Sequence, residues 1–151
     1  MLATPHLLTG ALIGQATGNY PLAFACGVMS HFALDGIPHT EPSTFLQDPH
    51  ACWKWNVRVA VVDVLLGLAL LCYLLPHASH PGIAAWGALG AVFPDLVSNI
   101  PLWQKRIWNT WWGRPFLKFH AWIHYSIPRR YWPLGILTQV ATVAVVLCLW
   151  K

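Results

Sequence analysis

Charge is scarce in this chain: Asp, Glu, Lys and Arg together make up 9% of its 151 residues, against about 25% in ordinary soluble domains. So little charge cannot cover an apolar core with a solvated surface, which excludes water as the only solvent. Several motifs are absent as well. There is no glycine-rich phosphate loop, no serine-nucleophile elbow and no Cys-x-x-Cys-His, so nucleotide, serine-hydrolase and haem chemistry lack their signatures. The four cysteines, Cys26, Cys52, Cys72 and Cys148, form no Cys-x-x-Cys, and three lie in apolar runs where a thiol behaves as a small hydrophobe. No basic region precedes Leu7, and Thr9, Gln15 and Asn19 interrupt the first apolar run, which argues against a cleaved signal peptide. Nor is there a basic helix or an aromatic-interleaved RNA motif. The net charge of +4 is read as a topology signal and an attraction to anionic lipid headgroups, and no nucleic-acid partner is expected.

What the chain has is apolar residues, 56% of the total, with 10 Trp to suit a membrane interface. Twelve Pro and 11 Gly divide this material into short pieces. Val57 to Leu75, Ile83 to Trp103 and Leu134 to Trp150 each come near the roughly 20 residues that cross about 30 Å of hydrocarbon. Pro5 to Gly18 and Pro21 to Ile37 are two shorter helical candidates around a Gly-Asn-Tyr turn, expected to form a tilted hairpin or a pair that enters and leaves by one face. Arg114 to Arg130 mixes Phe116, Leu117, Phe119, Trp122 and Ile123 with basic and histidine positions, as an amphipathic helix on the membrane surface would. The expected fold is all-α: residues 1–151 form a single small polytopic bundle of four to five helices plus this interfacial helix. If the hairpin goes in and out, Lys54, Arg58, Lys105, Arg106, Arg114, Lys118, Arg129 and Arg130 share one side. The loop from Pro76 to Gly82 carries no Lys or Arg, and Lys151 is the one exception. By the positive-inside rule the basic side is cytoplasmic, in a multi-pass inner-membrane protein whose surroundings are lipid.

Against this background, Ser30-His31-Phe32-Ala33-Leu34-Asp35-Gly36-Ile37-Pro38-His39 sets three potential metal ligands four residues apart in an apolar setting, where such groups are costly without partners. Residues four apart share a helix face, so His31 and Asp35 can approach one ion, and His120 and His124 can do the same. The alternative is a hydrogen bond that only fixes helix packing. Eight residues of unbroken helix would hold His39 about 12 Å from His31. Either Gly36 and Pro38 end the helix and fold His39 back, or two ions flank Asp35. His6 begins the first helix, and Asp95 lies in GALGAVFPDLVSNIP, where Pro94 loosens the helix and Ser98 and Asn99 extend a polar strip. Asp63 can be a proton acceptor. As a carboxylate near a helix start, favoured by the dipole and within reach of Arg58, it reads as structural ahead of metal ligation. His50, His77 and His80 read as surface-loop residues.

With HLLTGALIG near the start, SHFALDGIPH, GAVFPDL and HAWIH, the chain resembles the YdjM-like, LexA-regulated family of small inner-membrane metal-dependent hydrolases, along nearly its whole length. The resemblance implies site positions at His6, at Pro94-Asp95 and at His120 and His124. His124-Tyr125-Ser126 stands where the family has Thr-His-Ser, and no second Asp follows Pro94-Asp95. His31, Asp35 and His39 also carry a looser similarity to zinc-dependent phospholipase C-type sites, which implies phosphoester hydrolysis.

The expectation is therefore a metal-dependent hydrolase acting on a phosphoester or other ester of a lipid-like, membrane-associated substrate. Its metal ligands would come from His6, His31, Asp35, His39, Asp95, His120 and His124. Imidazole-rich ligation favours Zn²⁺ over Mg²⁺, with Mn²⁺ or Fe²⁺ also compatible. Asp95 or Asp63 would take a proton, and Arg129, Arg130 or Lys118 would hold a phosphate. Two alternatives are a non-catalytic protein that moves protons or ions along buried His and Asp, and a structural partner whose polar groups tie helices together.

Overall fold

A computed structural model of the chain describes residues 1–41 and 49–150, apart from the side chains of residues 49–53, 101 and 102. The side chains of His50 and Cys52 and the whole of Lys151 lie outside the described residues. Seven α-helices are present among the described residues: α1 (Ala3–Gln15), α2 (Tyr20–Asp35), α3 (Pro49–Leu74), α4 (Pro81–Asn99), α5 (Pro101–Trp108), α6 (Gly113–Ile123) and α7 (Trp132–Leu149). The all-α expectation holds, but the count of four to five helices does not. The main reason is Pro101, which drives Ile100 into an extended conformation and ends α4 at Asn99, so that Ile83 to Trp103 is two helices rather than one.

Proline starts helices as well as ending them: Pro21, Pro81, Pro101 and Pro133 all sit in the first turn of a helix, where a missing N–H costs nothing. The expected Gly-Asn-Tyr turn is present. Gly18 takes the left-handed conformation at φ 76°, and the Asn19 side chain accepts a hydrogen bond from Leu22 N at 2.9 Å to cap α2. The hairpin enters and returns, because His6 near the start of α1 meets Asp35 at the end of α2. At the opposite end, Ser79 N donates to Gln15 Oε1 between the end of α1 and the loop before α4.

α1, α2 and α4 pack against one another, and α1 is also flanked by α3 and α7. Surrounding α1 on so many sides accommodates the polar residues that break its apolar run. The contact with α4 is made backbone to backbone. A Cβ on Gly87 would lie 2.7 Å from Gly14 Cα and closer still to the Gly10 carbonyl oxygen, and Gly27 of α2 abuts the same carbonyl strip of α4. Small residues give helices without a water-driven attraction the area they need for dispersion contact. Toward the end away from Asp35, the core is aliphatic, built on Leu8, Ala11, Leu71, Leu74, Ala84, Ala88 and Val146.

Two segments are long and apolar enough to cross a membrane among the described residues, Lys54–His77 and Arg129–Leu149. The three crossings expected reduce to these two, because α4 carries glycine, alanine and polar residues to serve the bundle interior. Only 22% and 17% of the apolar windows in α3 and α7 are buried, so neither behaves as the core helix of a soluble protein. Val62, Leu65, Leu137 and Val140 instead face outward, an apolar surface larger than water tolerates without a partner. The interfacial helix is shorter than the Arg114 to Arg130 segment: α6 ends at Ile123. It turns Leu117 and His120 inward and leaves Trp122 80% exposed.

Candidate metal centre

Asp35 is the hub. Its side chain is fully buried, together with those of His6, His31 and His39. An ionised carboxylate in such a place requires cations or donors around it. Oδ2 stands 3.1 Å from both His31 Nε2 and His120 Nε2, and those two nitrogens are 3.1 Å from each other. Oδ1 faces His6 Nε2 at 3.1 Å and His124 Nε2 at 3.8 Å. The α-amino group of Met1 forms an ion pair with the same oxygen and lies 3.3 Å from His124 Nε2.

The outer nitrogens decide what the inner ones can do. His31 Nδ1 is 2.7 Å from the Ala91 carbonyl, which can only accept, so Nδ1 carries a proton and Nε2 is the nitrogen that can turn a lone pair to the centre. Ser98 Oγ lies 2.7 Å from His120 Nδ1 and, as a hydroxyl, can accept from it, which leaves Nε2 of that ring able to ligate, or donate to it. With lone pairs turned inward, three such atoms 3.1 Å apart would favour a positive charge between them, and the triangle is small enough that all three could ligate one zinc-like ion. Asp95 Oδ1, 3.9 Å from His31 Nε2 and 3.7 Å from His120 Nε2, stands on the open side and accepts a hydrogen bond from Asn99 Nδ2 at 2.9 Å.

A second group shares Asp35 and adds His39 and His124. Gly36 ends α2, and the chain turns back so that His39 N donates to the Tyr125 carbonyl and Ile127 N to the His39 carbonyl, at 3.3 and 3.0 Å. This short backbone pairing brings His39 and His124 together with ring centroids 4.6 Å apart. His39 Nδ1 donates to the Ile37 carbonyl at 2.9 Å, while its buried Nε2 has no hydrogen-bond partner among the described residues. Burial first, and the Met1 ammonium next, hold His39 and His124 below the ordinary imidazole value. Both rings therefore favour the neutral form that ligation needs.

His6, His31, Asp35, His39, Asp95, His120 and His124 are thus brought to one end of the bundle. Asp63 is not among them. Its Oδ2 accepts from Ala3 N at 2.6 Å and Thr4 N at 3.2 Å, so the helix start it serves is that of α1 rather than its own, and Arg58 is not its partner among the described ion pairs. His77 lies at the far end, bonded to the Tyr73 carbonyl. Two contributors escaped the sequence reading. Glu41 Oε1 is 3.0 Å from His124 Nε2, and its only signal was a carboxylate two residues past His39. Gln139 bonds Leu2 N, the Thr40 carbonyl and the Gly135 carbonyl, and a lone amide in the middle of the last apolar run was a usable sign.

A cleft of about 780 Å³ opens over the centre. Asp95, Ser98, His120 and His124 line its floor, with Asn99, Gln104, Lys105, Trp108, Asn109 and Glu41 around it. Lys118 lies in a neighbouring cleft with Arg114 and Trp111, and Lys105 is the basic residue beside the metal ligands.

Fold and site together define a class: an all-α bundle with two outward-facing apolar helices and a buried His/Asp cluster, able to hold a divalent ion, under a cleft at one end. Comparison of the chain with protein-family models, with curated proteins and with solved structures finds no match.

Proposed function

We propose that this protein is a metal-dependent hydrolase of the cytoplasmic membrane, cleaving a phosphoester or related ester of a lipid-like substrate at the cytoplasmic interface. The observation that carries the reading is the triangle of His31 Nε2, His120 Nε2 and Asp35 Oδ2, whose 3.1 Å edges and oriented lone pairs match three ligands of one ion. The mixed imidazole and carboxylate set suits Zn²⁺ first, then Mn²⁺ or Fe²⁺. A bound ion of this kind makes water a nucleophile at neutral pH and polarises an ester oxygen.

The chain's own residues supply the rest. Asp95 is 26% exposed on the cleft side, where it can complete the ligand set or accept a proton from water. Lys105, Asn99, Gln104 and Asn109 offer the donors that an anionic ester needs. The aromatic side chains of Trp108, Trp111 and Trp122 are exposed at the same end, as in an interfacial belt. Eight basic residues in the segments of that end support a cytoplasmic placement, and the resemblance to the YdjM-like membrane hydrolases points the same way. Proton or ion movement is less well supported, because beyond His6 the core continues as Leu7, Leu8, Ala11 and Ala88 rather than as a polar path.

Elemental analysis of detergent-purified protein without a His-tag, beside a His31→Ala/Asp35→Ala variant, tests the reading. Near-integral metal in the wild type that is lost in the variant supports it and justifies a phosphoester screen. Absence of metal after reconstitution with zinc, manganese and iron refutes it.

A further inference from the structure

We infer that the centre takes two divalent ions, with Asp35 as the bridging ligand and the second ion held by His39 and His124. The inference rests on the hydrolase reading only in accepting the first ion at His31, His120 and Asp35. Three observations carry it. The two Asp35 oxygens face different sets of nitrogens: Oδ2 faces His31 and His120, whereas Oδ1 faces His6 and His124. A single ion seated in the triangle would use Oδ2 and leave Oδ1, buried to the same degree, free to reach a second ion on the His124 side.

The second observation is His39. Its ring is fully buried, its Nδ1 is committed to the Ile37 carbonyl, and its Nε2 has no hydrogen-bond partner among the described residues. A buried lone pair without a donor is destabilising, and a ligated cation removes that cost. Ligand atoms of His39, Asp35 and His124 all lie within 4.8 Å of one another, so one ion can satisfy all three. Third, the backbone pairing of His39 with the Tyr125 to Ile127 segment fixes His39 and His124 by main-chain bonds, the preorganisation a ligand pair requires. Glu41 Oε1, 3.0 Å from His124 Nε2, adds a carboxylate on the cleft side. The second ion therefore has two imidazoles and one or two carboxylates, a set for Zn²⁺, Mn²⁺ or Fe²⁺ rather than Mg²⁺.

The test uses full-length, tag-free protein in detergent, stripped of metal and reloaded with Mn²⁺. Mass-spectrometric metal content and electron paramagnetic resonance are read together. The expected result is about two Mn²⁺ per chain with a spin-coupled spectrum, falling to about one uncoupled Mn²⁺ in His39→Ala and in the bulk-conserving His39→Gln. About one uncoupled Mn²⁺ per chain in the wild type, unchanged in both variants, overturns the second site and leaves the hydrolase reading standing. No bound metal in the wild type, with Zn²⁺ or Fe²⁺ giving the same answer, overturns both. Should the His39 variants fail to fold by circular dichroism, the wild-type spectrum decides alone: spin coupling supports the second site and its absence refutes it.

Discussion

Replacing Gly87 by alanine should damage both the bundle and the centre. The added Cβ would lie 2.7 Å from Gly14 Cα and nearer still to the Gly10 carbonyl oxygen, both backbone atoms that no rotamer change can move. Restoring an ordinary carbon–carbon separation needs about 1 Å of opening between α1 and α4, and overpacking of this kind costs about 1–3 kcal/mol. At roughly 2–4 °C per kcal/mol for a domain of this size, the melting temperature should fall by about 2–12 °C. The damage also reaches the ligands, because Ala91, one turn further along α4, holds His31 Nδ1 through its carbonyl, while His6 belongs to α1. Metal affinity should fall with stability. Gly36→Ala is the matched control: its Cβ meets nothing nearer than 3.5 Å at an ordinary φ of −72°, so that variant should be neutral or slightly stabilising. Thermal unfolding in detergent, followed by tryptophan fluorescence with parallel metal analysis, reads both effects. A Gly87→Ala protein with unchanged melting and metal content would refute the close-packed α1–α4 contact.

Ser98→Ala removes the partner of His120 Nδ1 and should weaken metal binding by about 10- to 100-fold in a chelator competition, with little change in helicity. Asp63→Ala strips two N–H groups of α1 of their acceptor and should cost about 0.5–2 kcal/mol in thermal stability. Its metal content should match the wild type, and loss of metal beyond that due to unfolding would count against the capping role. Asp35→Asn should abolish metal retention while the bundle still forms, since an amide can hydrogen-bond the surrounding imidazoles but brings no charge; retained metal would remove Asp35 from the centre. In vesicles, lipids brominated near the headgroup should quench Trp122 more than those brominated at the chain ends, because Trp122 is exposed on the interfacial α6.

The His31–Asp35 pair was legible because helical periodicity alone sets the two side by side and buried ionisable groups in an apolar run need partners, whereas His120 and His124, expected to share one ion, fall into separate groups because α6 ends at Ile123. Pro94-Asp95 and Ser98 were legible for a related reason, as a polar strip on one helix. The return of His39 was open in the spacing, and Gly36 and Pro38 carried the right solution of the fold-back. The partner of Asp63 could not be read, since it is main chain about 60 positions earlier and no side-chain pattern announces a backbone donor. Helix number failed at Ile100, where a single proline outweighed a continuous apolar run. Glu41 was hidden because its proximity to His124 depends on the pairing of two loops, a contact with no periodic trace.

His31 and His120 are 89 positions apart, which sets the order of events as the chain is made. At about 5–20 residues per second, synthesis leaves an interval of several seconds between the emergence of Asp35 and that of the rings that complete its surroundings. During that interval α1, α2 and α4 can already close on their glycines, with the carboxylate buried and its cation not yet trapped. On the proposed metal reading, ion capture would be a late locking step that follows closure of these helices. Cells starved of the metal should accumulate an inserted, helical, protease-sensitive precursor that matures when the ion is restored.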